Sequence, residues 1–205
     1  MKRLALAALL ALSSSAHAAA PWLSLHGRVT PSPLLLAYGT LGGAAAVGFS
    51  LPDGVGLRGP APEERPRASL LGEASFDFLD RVAELRVGRQ WQLTAPRLFT
   101  LSATLAGAAF FVPEGRTDVG LGPDGALALS IGGDTFSADL GLQAGAEAFV
   151  QGGVRFPVRL GLGLTARFRQ WTLGLNGRTG VDVSPTTFFR VRAEAMVVAG
   201  WYGPW

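Results

Sequence analysis

The chain has 205 residues, of which 48% are hydrophobic and only 16% charged. Soluble domains usually carry about a quarter charged residues. There is no cysteine, and 18 basic groups stand against 15 acidic ones. These figures exclude a disordered tail, a zinc finger and a disulfide scaffold, and they give no footprint for nucleic acid.

Residues 1–18 read as a secretory signal. Lys2 and Arg3 form the positive start, Leu4 to Leu12 the apolar run, and Ala16-His17-Ala18 the cleavage site. The apolar run is too short for a bilayer span, which takes ~20 residues. Cleavage after Ala18 leaves residues 19–205 as a single domain. Lys2 is the only lysine, so the mature chain balances sixteen Arg against fifteen acids and keeps one histidine, His26.

Leu34 to Leu51 carries no charge and contains Gly39-x-x-x-Gly43, which is compatible with a membrane helix. Its four glycines and the alternation of its second half favour a strand. A weaker strand is expected at Trp22 to Val29. Pro52 to Arg67 reads as a polar loop.

From Leu70 onward a period of two takes over. Leu70, Ala74, Phe76 and Phe78 alternate with Glu73, Ser75 and Asp77. Leu85, Val87, Trp91 and Leu93 alternate with Glu84, Arg86, Gln90 and Gln92. Further runs are Phe99–Leu105, Leu127–Ile131, Phe136–Val150, Val154–Phe168, Trp171–Val183 and Phe189–Val197. In Val154–Phe168 all eight even positions are apolar and no odd position is a large apolar residue. A helix would scatter both sets, so these are long strands with two chemically distinct faces. The connectors are short, as at Asp80-Arg81 and Arg169-Gln170, and permit only antiparallel hairpins. Gly115 to Gly125 reads as a longer loop. The expected fold is all-β: an antiparallel up-and-down barrel of ten strands, or of eight with an N-terminal extension. With both termini on the periplasmic side, ten strands put the Gly115 loop outside and the Pro52–Arg67 loop inside.

Three features point the apolar face outward, towards lipid. The polar face is rich in glycine, which leaves room for long arginines. It carries both signs of charge: Glu73, Asp77, Glu84, Asp139, Glu147 and Glu194 against Arg86, Arg155, Arg159, Arg167, Arg178, Arg190 and Arg192. A closed lumen needs that compensation, and Glu147 with Arg159 is one expected pair. Aromatics lie near run ends, where a membrane barrel places its girdles: Trp91, Phe136, Phe149, Phe168, Trp171, Phe189, Trp201 and Tyr202.

On these residues the chain resembles the small outer-membrane β-barrel proteins of Gram-negative envelopes, over the whole mature length. The resemblance implies outer-membrane lipid as surroundings. It also implies a last strand read by the barrel-assembly machinery through a C-terminal aromatic. Here Gly203-Pro204 interrupts the approach to Trp205, which shifts that role to Trp201 or Tyr202.

Catalytic chemistry finds little support. A hydrolase needs a nucleophile, a base and an orienter, and His26 stands alone. Asp77 and Glu84 would face each other across a hairpin, but Arg86 beside them reads as a salt-bridge network. Asp53, Glu63, Glu64, Asp118 and Asp124 read as solvated loop charge without EF-hand spacing. No cofactor is expected. The leading expectation is a non-enzymatic outer-membrane barrel with a structural, adhesive or limited small-solute permeation role. The alternative is a soluble periplasmic barrel that binds a lipid or other apolar ligand.

Overall fold

The computed structural model describes residues 28–29, 32–40, 43–53, 67–78, 81–95, 98–112, 118–133, 135–151, 153–184 and 190–203. The signal region, His26, Phe189 and Trp205 lie outside them, as do the side chains of Arg190 and Arg192.

The strands are β1 (Leu34–Thr40), β2 (Ala44–Pro52), β3 (Ala68–Asp77), β4 (Val82–Gln92), β5 (Phe99–Val112) and β6 (Asp118–Gly132). They continue with β7 (Phe136–Gly145), β8 (Glu147–Phe149), β9 (Gly153–Phe168), β10 (Trp171–Val183) and β11 (Arg190–Tyr202). Apart from β7 and β8, which do not pair with each other, each pairs antiparallel with its sequence neighbours, and β1 pairs with β11, so the sheet closes. Closure removes every edge, the feature that makes an open sheet prone to aggregation.

Segments β7 and β8 are one strand interrupted at Ala146, since both pair with β6 and with β9. The interruption has a local cause. Ala146 donates its N–H to the Pro123 carbonyl at 3.0 Å, but Pro123 has no N–H to return. The barrel therefore has ten strands. Followed once around the ring, the register climbs by about twelve residues, a stagger that requires strands tilted by ~35–45°.

The count of ten is met by a different route than alternation suggested. Leu34–Leu51 is a hairpin, not one strand. It turns at Gly43, whose φ of 89° suits a residue without Cβ. Arg28 and Val29, the described part of the Trp22–Val29 stretch, are not in a strand. The Gly115–Gly125 loop is also corrected, because β6 begins at Asp118. Gly120 and Gly122 mark close approach rather than a turn. A Cβ on Gly120 would lie 2.6 Å from the Phe149 ring, and one on Gly122 would collide with the Ala146 carbonyl.

Burial runs opposite to that of a soluble protein. On β9, Val158, Leu160, Leu162 and Leu164 point outward, while Pro157, Arg159, Gly161 and Gly163 point in. The same holds around the ring. Leu35, Val47, Leu85, Leu105, Leu127, Leu142, Leu173 and Val197 are exposed, and Glu73, Asp77, Glu84, Arg86, Asp139, Glu147, Arg159 and Arg178 are buried. Among the described residues no helix is long and apolar enough to cross a membrane, a test that does not bear on strands.

Candidate functional site

The lumen is layered along its axis. The first layer lies at the end remote from the chain termini and holds the charges. Tyr38 donates its hydroxyl to Glu73 Oε1 at 2.6 Å. Glu73 stands directly opposite Arg86 across the β3–β4 ladder. Arg86 pairs with Glu84 on its own strand and reaches Asp124 of β6 at 2.8 Å. That reach passes over β5, where the inward residues are Ala106 and Ala108. Both are buried and are the direct ladder partners of Asp124 and Arg86. Larger side chains there would block the pair. Asp124 also accepts from Gln143 Nε2 at 3.0 Å.

The other pairs bridge adjacent strands. Glu147 and Arg155 are ladder partners on β8 and β9 and form an ion pair. Arg159 reaches Asp182 on β10 at 3.5 Å. Arg178 and Glu194, partners on β10 and β11, are joined by Nε–H to Oε2 at 2.9 Å and a second bond from Nη2. The expected Glu147–Arg159 pair is thus replaced. Direct opposition gives Glu147 to Arg155, and Arg159 turns to Asp182. Asp139 lies inward nearer the termini, with Ser137 Oγ 3.4 Å from its Oδ2. Asp77 is inward and fully shut off from solvent, opposite Val82 rather than Glu84. Arg167 makes a stacking contact, its guanidinium 3.9 Å from the centre of the Tyr202 ring.

Sequence reading missed Asp124, taken as loop charge, together with Gln143, Asp182 and Tyr38 as members of this layer. For Asp124 the signal was hidden by its neighbours Gly120, Gly122, Pro123 and Gly125, which imitate a turn. Asp53 and Asp118 are at strand ends: Asp53 pairs with Arg89, and Asp118 Oδ1 accepts from the backbone of Val119 and Gln151. Among the described residues no three His, Cys, Asp or Glu side chains are grouped to hold a metal ion.

The layer nearer the termini is made mostly of uncharged polar side chains, with Asp139 opposite Ser130 and Arg167 opposite Thr172 as its charged members. Ser50, Ser69, Gln90, Thr100, Ser102, Ser130 and Thr172 are buried there. Ser69 Oγ donates to Gln90 Oε1 at 3.5 Å, and Gln90 Nε2 donates to Ser102 Oγ at 3.2 Å. The hydroxyls of Ser50, Ser130 and Thr165 are buried without a hydrogen-bond partner. One wall of this layer is apolar: Leu34, Leu36, Met196, Val198 and Tyr202, from β1 and β11, cluster together.

The outer wall carries two courses of aromatics. Phe99, Phe136, Phe168 and Trp171 lie near the terminus end, and Phe168, Trp171 and Trp201 are successive ladder partners. Trp91 faces outward near the end of β4. Phe76, Phe78, Phe111 and Phe156 lie near the other end. Two girdle assignments are corrected. Phe149 turns inward against Phe110 (ring centres 5.6 Å apart) and beneath Arg155, into the space that Gly120 leaves. Tyr202 is buried in the lumen by the parity of β11. The outer wall also holds one charge that alternation did not flag. Arg89, opposite Leu70 and Leu105, points outward and is half exposed, bent towards Asp53.

No family model matches the chain, and no curated protein matches it. Among solved structures it is similar to OmpT, an outer membrane protein of Vibrio cholerae folded in vitro. The identity is 10% and the TM-score 0.39, over 85% of this chain and 62% of that one. It is also similar to the KdgM porin, at 7% identity and a TM-score of 0.42, over 84% of this chain and 99% of that one. The chain thus spans under two thirds of the length of the first. Its own geometry is a closed ten-strand antiparallel barrel with an apolar exterior and a charged lumen.

Proposed function

We propose that this chain is a non-enzymatic barrel of the outer membrane, with a structural, adhesive or limited small-solute permeation role. The observation that carries the reading is the inverted burial. Leucines such as Leu105, Leu162 and Leu175 are about 60% exposed on a wall that runs around the whole ring, while Arg86 is 1% exposed inside it. In water such a wall would be an apolar patch far larger than a monomer tolerates. In a bilayer it is the expected lipid face. Phe156 and Phe168 stand twelve residues apart on β9. At ~3.3 Å per residue and a tilt near 40° that is roughly 30 Å, close to the ~25 Å apolar band of such barrels. The exposed leucines also speak against a soluble carrier of apolar ligands, which needs the reverse arrangement.

The charged layer supports a narrow lumen. Its ion pairs lie along one strand, between neighbouring strands or over one strand, all inside the ring, whereas open aqueous pores are built from ~16 strands. The last strand, ending at Trp201 and Tyr202, is the proposed signal for the barrel-assembly machinery, and residues 1–18 the proposed export signal. The test is fractionation. The protein is expected to stay with the outer membrane through a carbonate wash and to migrate faster on a gel before heating than after. Release by carbonate with no heat-dependent shift would refute membrane insertion.

A further inference from the structure

The outer wall is not evenly filled. A groove of about 780 Å³ crosses it from β6 to β11, within the ~300–1,000 Å³ of ligand clefts. Its side towards the termini is a single ladder row, in which Ile131, Ala138, Leu164, Leu175 and Val197 are successive partners. The next row starts large, with Leu140 and Leu162, and then drops to Gly177 and Ala195. All these positions face outward, so the missing side-chain bulk at Gly177 and Ala195 is what hollows the wall. The groove also slants. Ile131 is one residue from the end of β6, whereas Val197 is five from the end of β11. At ~3.3 Å per residue and a tilt near 40°, five residues descend about 13 Å, half of the ~25 Å apolar band. The groove thus leads from one interface to the bilayer midplane, the depth of a single leaflet.

Width and charge select the occupant. The two rows are ~7 Å apart along a strand. That takes one hydrocarbon chain and is too narrow for the wall of a second barrel, which would bridge the leucine rims. At the shallow end the charge suits a phosphate. The Arg167 N–H donates to the Thr135 carbonyl at 2.8 Å, which sets the β9–β10 turn beside the β6–β7 turn where the groove begins. Arg169 stands exposed in that turn, and among the described residues no ion pair reaches it. Phe136, Phe168 and Trp171 lie between it and the groove, each more than half exposed, at the level of the girdle. A guanidinium holds phosphate oxygens in a fork of two hydrogen bonds. A phosphate above the girdle and an acyl chain below it are the layout of a phospholipid.

We propose that this groove binds one phospholipid of the surrounding bilayer, with an acyl chain over Gly177 and Ala195 and the phosphate on Arg169. This rests on the membrane reading above. The test uses the full mature chain in vesicles of phosphatidylcholine and phosphatidylglycerol, with insertion checked by heat-modifiable migration. The barrel is then extracted in mild detergent and weighed intact by native mass spectrometry. The native barrel is expected to keep one phospholipid. Gly177→Leu fills the floor of the groove, and a Cβ there meets nothing nearer than the Glu194 carbonyl at 3.9 Å, so the sheet need not move. It should retain at least five-fold less lipid. Gly107→Leu, at an exposed glycine of β5 outside the groove with open space around it, should retain as much as the native barrel. Arg169→Gln should lower retention, and Arg169→Lys, whose ammonium lacks the forked donor pair, should fall between. A native barrel that keeps no more lipid than Gly177→Leu overturns the proposal. So does an equal loss in Gly107→Leu, native retention in Arg169→Gln, or a dimer that Gly177→Leu separates, which would make a second copy the occupant. A chain that fails to insert refutes the membrane reading instead.

Discussion

Gly180 lies directly opposite Arg159 on the β9–β10 ladder, and a Cβ there would sit 2.8 Å from the Arg159 Cγ. The absence of a side chain at one position is what lets a long one occupy the lumen at the next strand. Arg159 uses that space to reach Asp182.

Gly180→Ala should therefore destabilise the barrel although it adds one methyl group to a strand. The displaced Arg159 and the crowded Val158 carbonyl are expected to cost about 1–3 kcal/mol, the range for overpacking. Gly107→Ala is the control. Nothing lies within 4 Å of its Cβ position, so it should be neutral or gain up to about 1 kcal/mol from the lost glycine entropy. Urea unfolding in lipid vesicles reads both, and equal effects would remove the steric account.

The ion pairs can be assigned by double-mutant cycles. Coupling between Glu147 and Arg155 should exceed 1 kcal/mol, and coupling between Glu147 and Arg159, which make no ion pair, should be smaller. Arg155→Leu alone should cost roughly 3–5 kcal/mol, because it leaves Glu147 buried without its partner. A loss below about 1 kcal/mol is the value for a solvated pair, and would mean that water reaches this layer freely.

The fold class was legible because alternation over fifteen residues has only one geometric meaning. Val154–Phe168 and Trp171–Val183 appear as strands almost to the residue. What was not legible depends on register. Glu147 takes Arg155 instead of Arg159 because the register of the β8–β9 hairpin sets them opposite, and no single-strand pattern carries that information. Ser50, Ser69, Ser102 and Ser130 were visible one by one as inward residues. Their grouping in one layer emerges only once four hairpins are aligned. Gly120 and Gly122 misled in a different way: a glycine needed for close approach looks in sequence like a glycine needed for a turn.

Arg89 offers a test of the outer wall. Its ladder partner Leu105 stands midway between Phe99 and Phe111 on β5, so the backbone of Arg89 lies near the middle of the apolar band. An arginine there costs ~2–4 kcal/mol in lipid, less as it bends towards an interface. Arg89→Leu is expected to stabilise the inserted barrel by about 1 kcal/mol or more. Asp53→Asn should destabilise it, because the guanidinium loses its partner. On a water-facing wall both changes would stay within about 0.5 kcal/mol.

Lipid access decides the orientation of the whole sheet, and adjacent positions on β9 give the sharpest reading. Leu164 is 50% exposed and points outward, while Thr165 points into the lumen. Thr165 is preferable to its glycine neighbours as a labelling site, since its side chain already occupies space that a cysteine can take. A nitroxide on a cysteine at 164 should be relaxed by oxygen dissolved in the bilayer and protected from a water-soluble nickel complex. At 165 the oxygen effect should fall several-fold. One step along a strand reverses side-chain direction, so depth in the membrane is almost the same for both labels and only orientation differs. A label at 162, also outward, should match 164. If 164 and 165 respond alike, or if 164 is reached better by nickel than by oxygen, the apolar wall does not face lipid and the membrane assignment fails with it.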